Sequence, residues 1–492
     1  MGATTSSNRL KGYFEEITSY DLFQQLTYMS ATAAAGISRA RTFQLARELA
    51  CPPARFFKSI HQVAENLRYN YPDAVRLVGE QSKPDLVKTF LLRLSDALRS
   101  GEPLPGFLER EADVMGQAYE NDYTRGLESL KKWNDAYASV TVSAALIVII
   151  NMVATMIYNV GTTTIMMMVM VAVGASFGVA WILMRGSPPD QISVSLSEGS
   201  ETQQRTRKYF IFLAPVAIAV SAVLFFFGLD KAFVLILAGI IIMPVGRLAS
   251  RADKEITLKD NEVSSFLRSL GGTATSRGTT LTEALSVMRI DSFPALGADI
   301  RKLDLRLKAF GAPRLCWERF GRESGSRLVQ QVIGIFYEAV NLGGDPERIG
   351  KLTSAYSMRT AMLRQQRRGV AATFSWLVMV MHVVMAGLMI FLLGILEQFM
   401  LRLNDAAAEL EQGGSSTAAL GLGSMFNFSA PQVQFLGIIV IMMIVILAFI
   451  SSFAIVASEG AHLIKITNYL AILLILSGFC YIIVPKMVLM VM

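Results

Sequence analysis

Residues suited to catalysis are scarce in this sequence. It has three histidines and three cysteines among 492 residues, and only 17% of it is charged. Cys51, Cys316 and Cys480 lie far apart and form no CxxC pair, so neither a disulfide framework nor a zinc site is indicated and ordinary free thiols are expected. His61, His382 and His462 are too dispersed for a local metal or triad signature, although a fold can still bring distant residues together. One stretch, Gly344-Asp345-Pro346-Glu347-Arg348-Ile349-Gly350-Lys351-Leu352-Thr353, looks briefly like a phosphate loop. Such a loop needs four residues between its glycines and a Ser or Thr directly after the lysine; here five intervene and Leu352 follows. Gly343-Gly344 reads instead as a helix stop, with Asp345 capping a new helix and Pro346 in its first turn. No nucleotide, metal or nucleophile signature is found, so the chain is expected to be no enzyme and to need no cofactor.

What the sequence has is apolar residues, 52% of the total, gathered into runs long enough to cross a bilayer. A soluble enzyme is excluded on that ground. The formal charge of +7 suits nucleic acid in principle, but Lys and Arg also collect in the cytoplasmic loops of membrane proteins.

Residues 1–138 contain no apolar run with the length and cleavage pattern of a secretory signal, so this region is expected to stay cytoplasmic. Its first 21 residues are polar, and beyond them the pattern is helical without strand-like alternation. Turns are expected at Gly36, Pro52-Pro53, Pro72, Pro84 and Pro103, which predicts short antiparallel helices in a bundle. A membrane hairpin follows at 139–184, turning at Asn159-Val160-Gly161. Residues 185–208 are a polar cytoplasmic linker, and 209–247 form a second hairpin turning at Asp230-Lys231, locally weakened by Pro215 and Pro244. Residues 248–369 are a second cytoplasmic helical domain. Residues 370–492 hold three more membrane helices, at 370–396, 435–456 and 466–484, with an external loop near 397–434.

The predicted fold is therefore an all-α polytopic membrane protein with seven transmembrane helices and two cytoplasmic helical-bundle domains. Four spans separate the two soluble regions, which puts both on one face. Most basic residues near membrane ends, Arg185, Arg205, Arg207, Lys208, Arg247, Arg251 and Lys465 among them, fall on that face and make it the cytoplasmic one. The chain is expected in the cell membrane, multi-pass, with a cytoplasmic N-terminus.

The stretch 347–400 organises the rest. Its polar half carries Ile349, Leu352, Tyr356 and Leu363 at helical spacing, and its apolar half has His382 as the one ionisable residue. As one helix it is a rod on the order of 75 Å at about 1.5 Å per residue. Arg364, Arg367 and Arg368 sit where the rod turns apolar, and Gly369 next to them is a candidate hinge. With Arg319, Arg322, Arg327 and Arg348 they form the candidate docking or membrane-junction set, suited to an acidic partner or to anionic lipid.

The two soluble regions echo each other. In each, a helix stops at a glycine and restarts, at Gly36-Ile37-Ser38 and at Gly278-Thr279-Thr280. Each later shows glycine, acid and proline in a row, Gly101-Glu102-Pro103 and Gly344-Asp345-Pro346, with a proline turn between at Pro72 and Pro313. This points to a duplication.

On these residues the chain resembles the archaeal members of the type II secretion F family, membrane platforms of type IV pilus-like machines, and most of all their archaellum branch. The resemblance rests on Gly36-Ile37-Ser38-Arg39-Ala40, Arg93-Leu94-Ser95-Asp96-Ala97-Leu98, Phe107-Leu108-Glu109-Arg110-Glu111, Leu127-Glu128-Ser129-Leu130-Lys131-Lys132-Trp133 and Asp135-Ala136-Tyr137. In the second region it rests on Phe266-Leu267-Arg268 and Glu338-Ala339-Val340-Asn341-Leu342-Gly343-Gly344. It implies a platform that binds a cytoplasmic secretion ATPase (FlaI or ArlI type) and passes its motion to pilin-like or archaellin subunits, in contact with membrane lipid and as a homodimer. A transporter of a small solute is the alternative, disfavoured because the spans carry no carboxylate or basic group.

Overall fold

The computed structural model describes residues 17–157, 162–190, 192–194, 199–226, 230–309, 311–412 and 430–491. The polar start of the chain, the turn expected at Asn159-Val160-Gly161 and residues 413–429 of the loop expected near 397–434 lie outside them. Among the described residues the fold is all-helical, with one isolated β-bridge between Ser193 and Ser326.

The described residues begin with five short helices: α1 (Ser19–Ala34), α2 (Arg39–Glu48), α3 (Ala54–Asn66), α4 (Tyr71–Gln81) and α5 (Asp85–Arg99). Then come α6 (Leu104–Ile157), α7 (Thr162–Gly186), α8 (Glu201–Phe226) and α9 (Lys231–Arg277). Four more short helices follow: α10 (Leu281–Val287), α11 (Gly297–Lys308), α12 (Pro313–Glu323) and α13 (Arg327–Asn341). The last are α14 (Pro346–Gln412), α15 (Ala430–Glu459) and α16 (Ile466–Val491).

Local chemistry sets these starts and stops. Thr18 and Asp21 close a capping box on α1, as Thr280 and Glu283 do on α10, and Ser38, Asn70 and Ser326 accept the free amides at the starts of α2, α4 and α13. Gly36 and Gly278, then Gly101 and Gly343, take positive φ between 63° and 99°, the left-handed conformation that ends a helix and that only glycine adopts without strain. The order of elements is the same on both sides: α1, glycine, α2 to α5, glycine, α6, and again α9, glycine, α10 to α13, glycine, α14. That order supports the duplication read from the sequence.

The chain divides into two compact units. The first is the described part of Met1–Arg125, Ile192–Ser200 and Lys254–Gln365. It contains both regions expected as separate soluble domains, packed together. Phe23 of α1 has its ring centroid 4.8 Å from that of Tyr356, and Tyr20 donates to Gln331 at 2.8 Å. A second aromatic group joins Phe266, Phe293, Phe320 and Trp317. The backbones of α9 and α14 approach at Gly271, where an added Cβ would lie 2.3 Å from the Pro346 carbonyl. Ile192 and Val194, from the segment expected to be a linker, exchange backbone hydrogen bonds of 3.1 Å with Arg327 and Gly325.

The second unit is the described part of Gly126–Gln191, Glu201–Asp253 and Gln366–Met492. α15 is its central helix: 67% of its apolar window is buried, against 22–39% in the other candidate spans. Its two faces meet Val148 of α6, Ala172 of α7 and Met389 of α14 on one side, and Leu235 of α9 and Leu473 of α16 on the other.

Among the described residues six helices are long and apolar enough to cross a membrane: Leu104–Ala154, Thr163–Gly186, Lys231–Arg277, Pro346–Arg402, Gln434–Glu459 and Leu463–Met490. The remaining expected span, 209–229, falls on α8 and is not among them. Pro215 and Pro244 lie inside α8 and α9 without ending either helix. The rod expected at 347–400 is one continuous helix, and α6 and α9 are continuous as well.

Candidate functional site

Four of the seven candidate arginines, Arg319, Arg322, Arg327 and Arg348, lie on α12, α13 and the start of α14 in the first unit. Arg319 pairs with Glu323 one turn on, at 2.9 Å, and Arg348 reaches across to Glu109 at 2.9 Å. Arg322 and Arg327 form no ion pair among the described residues. Such exposed pairs contribute little stability, typically below about 1 kcal/mol, so these side chains are free to exchange partners. Arg314, on the same helix, pairs with Glu318 at 3.1 Å.

Arg364 differs. It is 4% exposed, and its Nη1 donates to Asp260 at 2.8 Å; Asp260 also accepts from the Ser326 hydroxyl. The Ser326 oxygen in turn accepts the Val329 amide at the start of α13. One buried carboxylate therefore ties together α9, α13 and α14. A second buried pair lies one residue away on α9, Lys259 with Asp299 at 2.7 Å. Neither carboxylate has a sequence signature, because its partner is tens of residues distant.

In the second unit Arg367 is 2% exposed and spends its donors on backbone carbonyls: Ser458 at 2.9 Å, Ala457 at 3.0 Å and Pro188 at 2.8 Å. Ala457 and Ser458 are in the last turn of α15, whose carbonyls have no partner within the helix, so the guanidinium caps that helix and meets the negative end of its dipole. Gly460, at φ 69°, ends α15, and an added Cβ there would stand 2.5 Å from the guanidinium carbon. Arg368 is 3.8 Å from Asp253, which also accepts from Lys465 at 2.8 Å; Lys465 is 2.8 Å from Glu459 as well. Within their units, then, Arg364 and Arg367 are engaged by the protein itself and Arg368 is partly covered.

The helix stop read in place of a phosphate loop takes the expected form. Asp345 accepts the Arg348 amide at 3.1 Å and the Thr275 hydroxyl at 2.7 Å, and α14 begins at Pro346. The Thr275 hydrogen bond, followed by those from the backbone, holds its carboxyl below the usual range. His382 has its Nε2 3.0 Å from the Ser477 hydroxyl, joining α14 to α16. Among the described residues no group of three or more His, Cys, Asp or Glu has the geometry to hold a metal ion.

Among the described residues, all-helical units and long helices with spanning apolar stretches define a multi-pass membrane protein. Residues 26–152 match the family described as Type II secretion system (T2SS), protein F. The chain is 25% identical over 311 residues to Flagella accessory protein J of Methanocaldococcus jannaschii, a match covering 60% of this chain and 54% of that one. To the protein of the same name from Methanococcus voltae it is 22% identical over 324 residues, covering 63% and 58%. The chain thus spans a little over half the length of these curated relatives. No solved structure matches it. These matches give the chain a type II secretion F domain over residues 26–152 and a similarity, over about 60% of its length, to the archaeal flagella accessory J proteins.

Proposed function

We propose that this chain is the cytoplasmic-membrane platform on which an archaellum or type IV pilus-like filament is assembled, coupling a cytoplasmic secretion ATPase to the insertion of pilin-like subunits. The observation that carries the reading is the protein F match over residues 26–152, in a chain whose described residues include six helices apolar enough to span a bilayer. In this reading seven helices span, α8 included, and both soluble regions face the cytoplasm. Packing inside the first unit supports this: residues before α7 touch residues after α9, as in Arg348 with Glu109, and one compact body lies on one side of a membrane. An even number of crossings must then separate them, which α8 supplies. Arg319, Arg322, Arg327 and Arg348 are the ATPase-facing residues; Arg364, Arg367 and Arg368 hold the junction at which α14 turns apolar, and the platform works as a homodimer.

The test is capture of the full chain from its native membrane. The expected result is co-purification of a secretion ATPase, reduced when Arg319, Arg322, Arg327 and Arg348 are all changed to Gln, with filament assembly lost in the same cells. Normal filaments in cells lacking the chain would remove the proposal. Solute flux by the pure protein in liposomes, with no ATPase captured, would favour the transporter instead.

A further inference from the structure

The second unit has an open groove of about 960 Å³ between α8 and α9, lined by Arg205, Lys208, Phe212, Ile240, Arg247 and Arg251. On α8, Arg205, Lys208, Tyr209 and Phe212 follow at three, four and seven residues, one helix face passing from basic to apolar. On α9, Ile240, Met243, Arg247 and Arg251 share a face and pass from apolar to basic. Only residues 227–230 separate the two helices in sequence, which favours an antiparallel pair; the four cations then share one end of the groove and the apolar side chains the other. Arg205 is paired with Glu201 at 2.6 Å, whereas Lys208, Arg247 and Arg251 have no carboxylate partner among the described residues. Phe212 is 72% and Ile240 53% exposed.

We infer that this groove is a binding site for one anionic phospholipid, its phosphate held by Lys208, Arg247 and Arg251 and its acyl chain lying along Phe212 and Ile240. Charge complementarity and the gradient along both helices carry the assignment. A free phosphate would use only the cationic end and leave the aromatic and aliphatic side chains in water. Arg247 comes directly after the apolar stretch of α9, where a span meets the headgroups. Orientation by positive charge alone needs a number of cations and no groove; here cations from two helices converge on one. The inference rests on α9 spanning a membrane and is independent of the filament reading.

The experiment uses the full chain purified in detergent, with phosphatidylglycerol or phosphatidylcholine added and bound lipid counted by native mass spectrometry. The wild type is expected to retain phosphatidylglycerol over phosphatidylcholine. The Lys208→Gln/Arg247→Gln/Arg251→Gln variant should bind it about a hundredfold more weakly, at about fivefold for each basic group lost. A variant with three exposed lysines changed elsewhere, Lys58→Gln/Lys88→Gln/Lys131→Gln, should bind as the wild type does. Phe212→Ser/Ile240→Ser, which keeps every charge, should also lose lipid, and inorganic phosphate should fail to displace it. Equal retention of the two lipids by the wild type overturns the site. So does undiminished binding in the charge variant, displacement by phosphate, or full retention in Phe212→Ser/Ile240→Ser; the last still decides if the charge variant does not fold.

Discussion

Arg364 and Arg367 stand three residues apart in a cluster that sequence reads as one basic patch, yet each has its own task. Arg364 meets a buried carboxylate, and taking two charges out of water is compensated only while both are present. Arg364→Met should therefore cost about 3–5 kcal/mol, because the buried Asp260 is left without its cation, and Asp260→Asn should cost a similar amount. The double variant should lose much less than the sum, since neither charge is stranded and the new side-chain amide at position 260 can still meet the Ser326 hydroxyl. Thermal midpoints of the four detergent-solubilised proteins measure this cycle. Strictly additive losses would mean that the pair is not coupled. Arg367 instead serves three carbonyls, and its substitution is expected to loosen the end of α15 without stranding a charge.

At the scale of elements, close helix approach depends on particular glycines. Gly246 of α9 faces α16 so tightly that an added Cβ would lie 2.4 Å from the Asn468 Cα, and at Gly239 it would lie 2.8 Å from the Ala471 carbonyl. Small residues that let backbones meet are the usual basis of helix pairing in a bilayer. Gly369 has nothing within 4 Å of that position, although sequence marks it as a candidate hinge. Gly246→Ala should lower the thermal midpoint by forcing α9 from α16, whereas Gly369→Ala should leave it unchanged or raise it by the equivalent of about 1 kcal/mol, the helix preference of alanine. A destabilised Gly369→Ala beside a normal Gly246→Ala would contradict both assignments. Sequence made the helix ends legible, because Gly36, Gly101, Gly278 and Gly343 and the caps beside them act locally. It showed neither the burial of Arg364 nor the capping of α15 by Arg367. The first depends on Asp260, 104 positions away, and the second on backbone carbonyls, which every residue has. The pairing of Ile192 and Val194 with α13 was equally hidden, since a polar stretch rich in serine reads as a linker whatever it lies against.

For the whole molecule the open quantity is the number of crossings, and α8 decides it. Without α8, three spans precede the second soluble region and put it opposite the first; with α8, four precede it and both share a face. Joint packing of the two regions in the first unit favours four, and the exposed apolar side chains of Ile211, Phe212 and Val216 suit a helix in lipid. Single cysteines separate the cases in a chain whose Cys51, Cys316 and Cys480 are replaced; Cys51 would add little background in any event, because burial pushes its thiol up to about 12. Ser59 and Ser276 are exposed and lie in the first and second regions. Cysteines at both positions are expected to react with an impermeant maleimide only after the cells are permeabilised, and one at Ser415, beyond the fifth span, in intact cells. Labelling of Ser59 and Ser276 from opposite faces would place α8 outside the count of spans and would require the two regions to part in the membrane. Labelling of both from outside would keep the seven spans and invert the chain, against its basic flanks.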